Sequence, residues 1–388
     1  MASTSERYDL AIAGAGIFGL SIAYAGLKAG LKVAVVETRH VGAGASGGLL
    51  GALMPHMPAR WNPKKEFQFQ ALSSLSGHIA ELEQLSGVTC GYKRLGRILP
   101  LTTQDKLDHH HERAEESKQR WHPEETGFSY VVEPQGSRSD WLSADAAPYG
   151  IVFETLAARV APRLYLKALA SFVAKQGLLL EETGVSRFDE AKDSVHLSDG
   201  QTINATNFVI AGGYGAFGLI ETLTGEAIGR GEKGQALLMD GRGLENRPAI
   251  YCDGLYVVPH DDGTVAIGST SDRTAQDTEV DPDRSADLIR RATAFCPSLN
   301  GREVLTEWAG IRPRCNKRDP LVGALPGRER TFAATGGFKI SYGIAHLIAE
   351  ALIAKISGGS PRIPLPETFR PDHHFGLNRL DADLTVRR

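Results

Sequence analysis

The chain has 388 residues, of which 42% are hydrophobic and 23% charged, a composition typical of a globular protein with room for two domains. Its formal net charge of −3 does not favour a nucleic-acid-binding surface. The four cysteines form no CxxC pair and no Cys/His ligand spacing, so the sequence gives no case for a metal centre and we expect free, buried thiols. There is no secretory-signal pattern and no apolar stretch long enough to span a membrane, so we expect a cytoplasmic protein.

The first forty residues predict a βαβ unit. A strand at residues 8–13 leads into the turn GAGIFG at residues 14–19, and a helix follows until about Gly30. A second strand at residues 32–37 ends on Glu37. This order is typical of a dinucleotide-binding fold.

The glycines of the turn have separate physical roles. Gly14 allows the tight turn, Gly16 lets the backbone approach a pyrophosphate, and Gly19 permits close packing of helix and strand. The helix N-terminus offers N–H groups and a positive dipole end to the phosphates, and Glu37 can accept hydrogen bonds from ribose hydroxyls. Together these features predict a bound adenine dinucleotide, but they do not separate FAD from NAD.

The rest of the chain predicts a mixed α/β protein. Further helical segments are expected at residues 66–87, 103–120, 162–176 and 284–297. Residues 178–188 and 207–213 are predicted as strands, and residues 230–282 alternate as antiparallel strands separated by Asp/Gly turns. A second glycine turn, Gly336–Gly337, opens a last helix through Ile356, whose positive end can stabilise negative charge on a reduced flavin.

Five ordered motifs resemble the flavin-dependent glycine and D-amino-acid oxidase family, and glycine oxidase most closely. They are GASGGLLGALMPH, LEQLSGV followed by LGRILPL, YCDGLYVVPHDDGTVAIGST, WAGIRPRCNKRDPLVG and TGGFKISYGIAHLIAEAL. The resemblance covers nearly the whole chain. It implies FAD as the cofactor and an amine or amino acid as the substrate.

The resemblance also implies particular FAD contacts. Ser46, Gly47 and Gly51 correspond to the family's loop along the pyrophosphate and isoalloxazine, Val185 to its adenine contact, and Gly212 to a third contact segment. The complete predicted FAD-binding set is Gly14, Gly16, Ile17, Phe18, Gly19, Glu37, Ser46, Gly47, Gly51, Val185, Gly212, Gly310, Gly337, Phe338 and Ile340.

Three residues are implied at the substrate site. Arg312 matches an arginine that holds the substrate carboxylate, for which the planar guanidinium fork is suited. Tyr256 matches a pocket tyrosine. Lys339 stands where glycine oxidase has a second arginine, so the charge is kept and the bidentate geometry is lost. Because Gly254 replaces a pocket histidine, we expect a wider pocket and do not assign glycine itself as the substrate.

Two other features are interpreted as lacking a site role. The histidines at 109–111 and 373–374 lie in polar sequence with neighbouring rings pointing apart, so we predict solvated surface and no metal site. Cys315 lies close to Arg312, but its spacing does not match that of relatives that carry flavin on a cysteine. We therefore expect noncovalent FAD.

Motifs from both ends and the middle of the chain must meet one cofactor. We therefore predict an α/β fold with a discontinuous, Rossmann-like FAD-binding domain of the glutathione-reductase type. It is assigned to residues 1–87, 151–224 and 305–388. Residues 88–150 and 225–304 are assigned to a substrate domain with an antiparallel sheet.

The implied function is oxidation of the C–N bond of a small amino acid or secondary amine. The product imine is hydrolysed, and oxygen is the expected acceptor, giving hydrogen peroxide. Two alternatives stay open: flavin-dependent cleavage of a tRNA wobble-uridine side chain, and a flavin subunit of an opine- or proline-dehydrogenase-like complex. The sequence does not name the amine, the acceptor or the oligomeric state.

Overall fold

The computed structural model describes residues 6–274 and 277–376. Its strands are β1 (Arg7–Ala13), β2 (Val33–Val36), β3 (Ala52–Leu53), β4 (Arg97–Pro100), β5 (Tyr130–Glu133), β6 (Ile151–Glu154), β7 (Ala158–Arg159), β8 (Leu178–Leu180), β9 (Val185–Asp189), β10 (Ser194–Leu197), β11 (Thr202–Ile210), β12 (Gly229–Asp240), β13 (Ala249–Cys252), β14 (Leu255–Pro259), β15 (Thr264–Gly268), β16 (Val304–Cys315), β17 (Leu321–Ala324) and β18 (Thr331–Thr335). Its helices are α1 (Ile17–Lys28), α2 (Pro63–Ser86), α3 (Gln104–Trp121), α4 (Pro123–Thr126), α5 (Pro162–Gln176), α6 (Ala216–Thr224), α7 (Pro282–Phe295), α8 (Ser341–Ile356) and α9 (Pro371–His374).

The first sheet has the strand order β17-β18-β11-β1-β2-β8, with β10 beside β11 and β9 beside β10. β1 pairs in parallel with β2 and β11, and β11 pairs in parallel with β18. All four residues of β2 are buried, as expected of a parallel strand covered on both faces. α1 packs against α5 and α8, and α2 packs against the same two helices. This is the predicted Rossmann-like sheet.

The second sheet has the order β16-β12-β15-β14-β13-β4-β6-β5. Its neighbours are antiparallel except for β13 and β4. β12 and β16 form the longest pairing, which runs from Gly229 opposite Cys315 to Met239 opposite Val304. The predicted α/β class with a second, antiparallel-sheet region is confirmed.

Two details differ from the sequence expectations. Residues 178–188 form two strands, because Glu182 adopts a φ of 60° between them. β6 and β16 belong to the second sheet, although residues 151–224 and 305–388 were assigned to the FAD-binding domain. The predicted domain ranges also include residues 1–5 and 377–388, which lie outside the described residues.

The start of α8 also differs from the prediction. The helix begins at Ser341 and not directly after Gly337. Phe338 has a φ of 48°, which a right-handed helix excludes, so the chain makes a further turn before the helix.

The surface prediction is wrong for two of the histidines. His110 is 9% exposed, and its Nδ1 lies 2.6 Å from the Tyr130 hydroxyl because α3 packs one face on β5. His374 is 5% exposed, with Nε2 3.1 Å from the carbonyl oxygen of Pro320. Within residues 6–274 and 277–376, no three His, Cys, Asp or Glu side chains are grouped to hold a metal ion.

The cysteines follow the prediction, since all four are free and buried. Across the described part of the chain, the structure has no helix with the length and apolarity needed to cross a bilayer.

A buried ion pair joins β4 to β6 within the second sheet. Arg97 and Glu154 face each other across the pairing, with Nε and Oε1 2.9 Å apart and side chains 4% and 0% exposed. The other carboxylate oxygen accepts hydrogen bonds of 2.9 Å from the backbone N–H groups of Leu156 and Ala157. Arg97 also donates to the carbonyl of Pro55, at 3.3 Å. The pair therefore ties this sheet to the segment that follows β3.

Removal of Arg97 should be costly, because it leaves a buried carboxylate without its cation. We expect Arg97→Met to lower the free energy of unfolding by about 3–5 kcal/mol. The Arg97→Met/Glu154→Gln double variant should recover most of that loss, since no charge is stranded and the amide oxygen still accepts the backbone N–H groups. Urea unfolding of the three proteins provides the measurement. A double variant as unstable as the single one would contradict the assigned cause.

Candidate functional site

Two adjoining cavities lie beside the first sheet. The larger, of about 600 Å³, is lined by the segments that follow β1, β2, β11 and β18. The carboxyl ends of parallel strands meet at one edge of a sheet, and this is where ligands of open α/β folds bind. β16 closes the cavity through residues 308–311.

Glu37 holds the glycine turn against the end of β2. Its Oε2 accepts a hydrogen bond from the backbone N–H of Ala15 at 2.8 Å, and its Oε1 accepts one from Arg39 at 3.0 Å. Gly14 has a φ of 111°, and a Cβ at Gly19 would lie 1.9 Å from the Gly14 carbonyl oxygen. Neither glycine position therefore tolerates a side chain.

The cavity wall beside the α1 N-terminus is bare backbone. A Cβ at Gly16 would lie 3.1 Å from the Ser46 hydroxyl, while a Cβ at Gly44 or Gly213 would meet no atom within 4 Å. Ser46 Oγ accepts a hydrogen bond of 3.1 Å from the backbone N–H of Ile17, at the start of the helix. A side-chain-free cradle at a helix N-terminus fits the pyrophosphate of a dinucleotide.

The smaller cavity, of about 160 Å³, brings together the three predicted substrate residues. Tyr256 comes from β14, Arg312 from β16, and Lys339 from the turn before α8. The two cavities share the following lining residues: Ala45, Ser46, Trp308, Phe338, Ser341 and Tyr342. The geometry thus sets a carboxylate-binding group beside a dinucleotide-sized space.

The Arg312 guanidinium lies directly over Gly234 on the paired strand β12. A Cβ at position 234 would lie 1.9–2.0 Å from guanidinium atoms, so any side chain there would displace the guanidinium from this position. Nη1 donates to the carbonyl of Thr270 at 3.1 Å. Loss of hydration lowers the pKa of Arg312, and Glu232 opposes that shift. Arg312 makes no ion pair with any described acidic side chain, because Glu232 binds Arg314 at 2.5 Å.

Tyr256 and Lys339 add polar groups of different character. Burial raises the pKa of Tyr256 to about 12, so its hydroxyl remains protonated at neutral pH and can donate a hydrogen bond. Its ring centroid lies 4.7 Å from that of Tyr251. Lys339 is partly exposed to solvent and partly buried, with Nζ 5.6 Å from the centroid of the Phe338 ring.

Most of the predicted FAD-binding residues line the cavities. The larger cavity contains Gly14, Gly16, Ile17, Phe18, Glu37, Ser46, Gly212, Gly310, Gly337 and Phe338. The smaller contains Ser46, Gly51, Phe338 and Ile340. Gly19, Gly47 and Val185 line neither cavity, and their roles stay predictions.

Gly254 and Cys315 do not line either cavity, but each lies next to a residue that does. Gly254 has a φ of 84° in the turn between β13 and β14, and the expectation that it widens the pocket stays a prediction. Cys315 also lines neither cavity, and burial raises the pKa of its thiol to about 12.

Sequence reasoning missed four of the six residues that line both cavities, and two of these four are aromatic. Trp308 lines both, and it alternates along β16 with Gly310 and Arg312, a spacing that places all three on one face of a strand. That alternation was a usable signal. Tyr342 donates from its hydroxyl to the carbonyl of Ser46 at 2.5 Å, which no local pattern predicts.

Comparison with known proteins agrees with this geometry. Residues 9–351 match the family DAO, described as FAD dependent oxidoreductase, and the chain belongs to that family. The protein is therefore an FAD-dependent oxidoreductase. Glycine oxidase from Bacillus licheniformis is 26% identical over 96% of this chain and 100% of its own length.

Two solved structures share the fold. Glycine oxidase from Geobacillus kaustophilus superposes with a TM-score of 0.85 at 23% identity, covering 96% of this chain and 100% of that one. Iminodiacetate oxidase from Chelativorans sp. BNC1 has a TM-score of 0.82 at 21% identity, covering 93% and 98%.

The bare backbone at Gly16 predicts how FAD binding responds to a side chain at this position. We expect Gly16→Val to abolish FAD binding, because the isopropyl group would occupy the space between the α1 N-terminus and Ser46. The ratio of flavin to protein absorbance after purification measures this. Gly77→Val is the matched control, since a Cβ there meets no atom within 4 Å on the exposed face of α2. Normal flavin content in the Gly16 variant would contradict the cradle.

Proposed function

We propose that the protein oxidises the C–N bond of a small amino acid or carboxylate-bearing secondary amine. The observation that carries the proposal is the Arg312 guanidinium, which faces the smaller cavity beside the dinucleotide cradle without an acidic partner among the described residues. A planar guanidinium binds a carboxylate through two hydrogen bonds. Glycine, N-methylglycine and iminodiacetate all fit this description.

In this proposal the protein contributes positioning rather than a side-chain base. Arg312 holds the carboxylate and Tyr256 offers a hydroxyl, so that the α-hydrogen of the neutral amine faces the cofactor cavity. FAD bound in the adjoining larger cavity would supply the two-electron oxidation of the α-carbon. The nitrogen loses a proton, and water then splits the imine into a carbonyl compound and an amine or ammonia. Within the described residues, no Asp, Glu or His lines the smaller cavity, which supports a mechanism without a carboxylate or imidazole base.

The remaining assignments form part of the same proposal. They are noncovalent FAD, oxygen as the electron acceptor with hydrogen peroxide as product, a cytoplasmic location, the predicted FAD-contact residues, and a discontinuous FAD-binding domain with its boundaries adjusted for β6 and β16. The tRNA-directed alternative requires a basic groove beside the flavin, and the two cations Arg312 and Lys339 do not by themselves supply one.

A substrate screen tests the reaction class. The purified protein should be yellow, and heat or acid should release FAD. Under air, small amino acids and N-substituted glycines should produce hydrogen peroxide, and under anaerobic conditions they should bleach the flavin. If dithionite bleaches the flavin and no amine or amino acid does, the proposed reaction is excluded.

Arg312 variants test the carboxylate assignment. Arg312→Ala should lower kcat/KM by roughly two to three orders of magnitude, because removing one member of a charge-assisted pair costs on the order of 2–5 kcal/mol. Arg312→Lys should recover part of the loss, since the charge returns without the fork. FAD content should stay normal, and amines without a carboxylate should lose far less activity.

Arg290→Ala serves as the control for these variants, because Arg290 is 72% exposed on α7. If Arg312→Ala keeps full activity on a carboxylate substrate, or loses its flavin first, Arg312 does not hold the substrate.

A further inference from the structure

The smaller cavity contains two cationic side chains, and the nearby carboxylate is already engaged. Arg312 and Lys339 both line the cavity. Glu232 is 2% exposed, with Oε2 2.5 Å from Arg314 and 3.9 Å from Arg273. Neither lining cation forms an ion pair with an acidic side chain in the described part of the chain. The cavity therefore carries one more positive charge than a single substrate carboxylate would neutralise.

The two cations also act on each other. Loss of hydration and then the charge of Arg312 lower the pKa of Lys339, while Glu232 opposes the shift. Two like charges without counterions are unfavourable in a partly desolvated space. A ligand with two negative charges would neutralise both Arg312 and Lys339.

The backbone holds Lys339 at the cavity independently of any ion pair. The residue follows Phe338, whose φ of 48° turns the chain, and the N–H of Ile340 donates to the carbonyl of Gly337 at 3.0 Å. This tight turn fixes where the lysine stem begins. Its ammonium group acts as a point charge on a flexible stem, which accepts a carboxylate over a range of positions.

We propose that Lys339 binds a second substrate carboxylate, so that the preferred substrates are amino dicarboxylates. This inference rests on the proposed function and names its substrate class. Arg312 takes the carboxylate next to the oxidised carbon, and Lys339 takes the one on the far side of the nitrogen. The cavity volume of about 160 Å³ is roughly ten times the 10–15 Å³ that one water requires, which leaves room for both groups.

The chemistry balances for iminodiacetate, the simplest secondary amine of this class. One α-carbon loses a hydride and the nitrogen loses a proton, giving the imine and two-electron-reduced FAD. Water adds to the imine carbon and the C–N bond breaks, releasing glyoxylate and glycine. The electron pair and two protons then pass to oxygen and form hydrogen peroxide.

Paired substrates that differ by one carboxylate provide the kinetic test. We expect the FAD-loaded wild type to have a higher kcat/KM for iminodiacetate than for N-methylglycine. Lys339→Met should lower that preference at least about tenfold, which corresponds to about 1.4 kcal/mol, because it should slow iminodiacetate far more than N-methylglycine. Lys339→Arg should preserve the preference. Lys167→Met, which removes a charge from the exposed face of α5 outside both cavities, is the control.

Binding gives a second readout that does not depend on turnover. Diglycolate and methoxyacetate are ether analogues that lack the oxidisable nitrogen and differ by one carboxylate. The Kd of each for the FAD-loaded protein is measured by calorimetric titration. Diglycolate should bind more tightly than methoxyacetate. Lys339→Met should lower the ratio of the methoxyacetate Kd to the diglycolate Kd at least about tenfold.

The outcomes separate the inference from the proposed function. If N-methylglycine is oxidised as efficiently as iminodiacetate, or if Lys339→Met slows both equally, the inference is wrong and the proposed function stands. If neither amine nor any amino acid reduces the flavin, the proposed function fails. Diglycolate binding then decides only whether Lys339 binds a second carboxylate: dependence on Lys339 retains that contact, and equal binding to wild type and Lys339→Met overturns it.

Discussion

The long antiparallel pairing of β12 with β16 is the constraint on which the two cavities depend. It runs across eleven residues of β12, from Gly229 to Met239, and fixes the register of β16 along both spaces. Trp308 and Gly310 then face the larger cavity, and Trp308 and Arg312 face the smaller one. A shift of one residue would send every side chain to the opposite face of the sheet. The register of β16 therefore sets the distance between the Arg312 guanidinium and the larger cavity, where the cofactor is expected.

The same pairing distributes the charges around the smaller cavity. Glu232 lies opposite Arg312 in the strand pairing, but its carboxylate forms an ion pair with Arg314. Glu232 therefore pairs with Arg314, and the Arg312 guanidinium stays available to a ligand in the smaller cavity. Lys339 approaches from the first sheet's side, on the turn between β18 and α8. The proposed carboxylate site thus belongs to neither sheet alone, because its two cations come from elements on different sides of it.

The parts of the fold and site that depend on residues close together in sequence were predictable, and the parts that depend on distant residues were not. The turn at residues 14–19, its flanking strands and Glu37 follow from short-range pattern, because each glycine answers a backbone requirement within a few residues. Arg312, Tyr256 and Lys339 came from family resemblance, and no periodicity in the sequence brings them together. The burial of His110 and His374 was missed because polar neighbours mark a surface helix without telling which of its faces packs. The sheet membership of β6 and β16 is decided by partners far away in sequence, so composition could not set the domain boundaries.

The contact between Arg312 and Gly234 has a further consequence for how this sequence can diverge. The guanidinium fills the space that any side chain at position 234 would need. Glycine at position 234 therefore keeps the Arg312 guanidinium in its place, although glycine is otherwise unfavourable in the middle of a strand. In a relative that lost the proposed carboxylate-binding role of Arg312, this reason to keep glycine at position 234 would be lost as well. Correlated change at 234 and 312 would thus mark where in the family this specificity was lost.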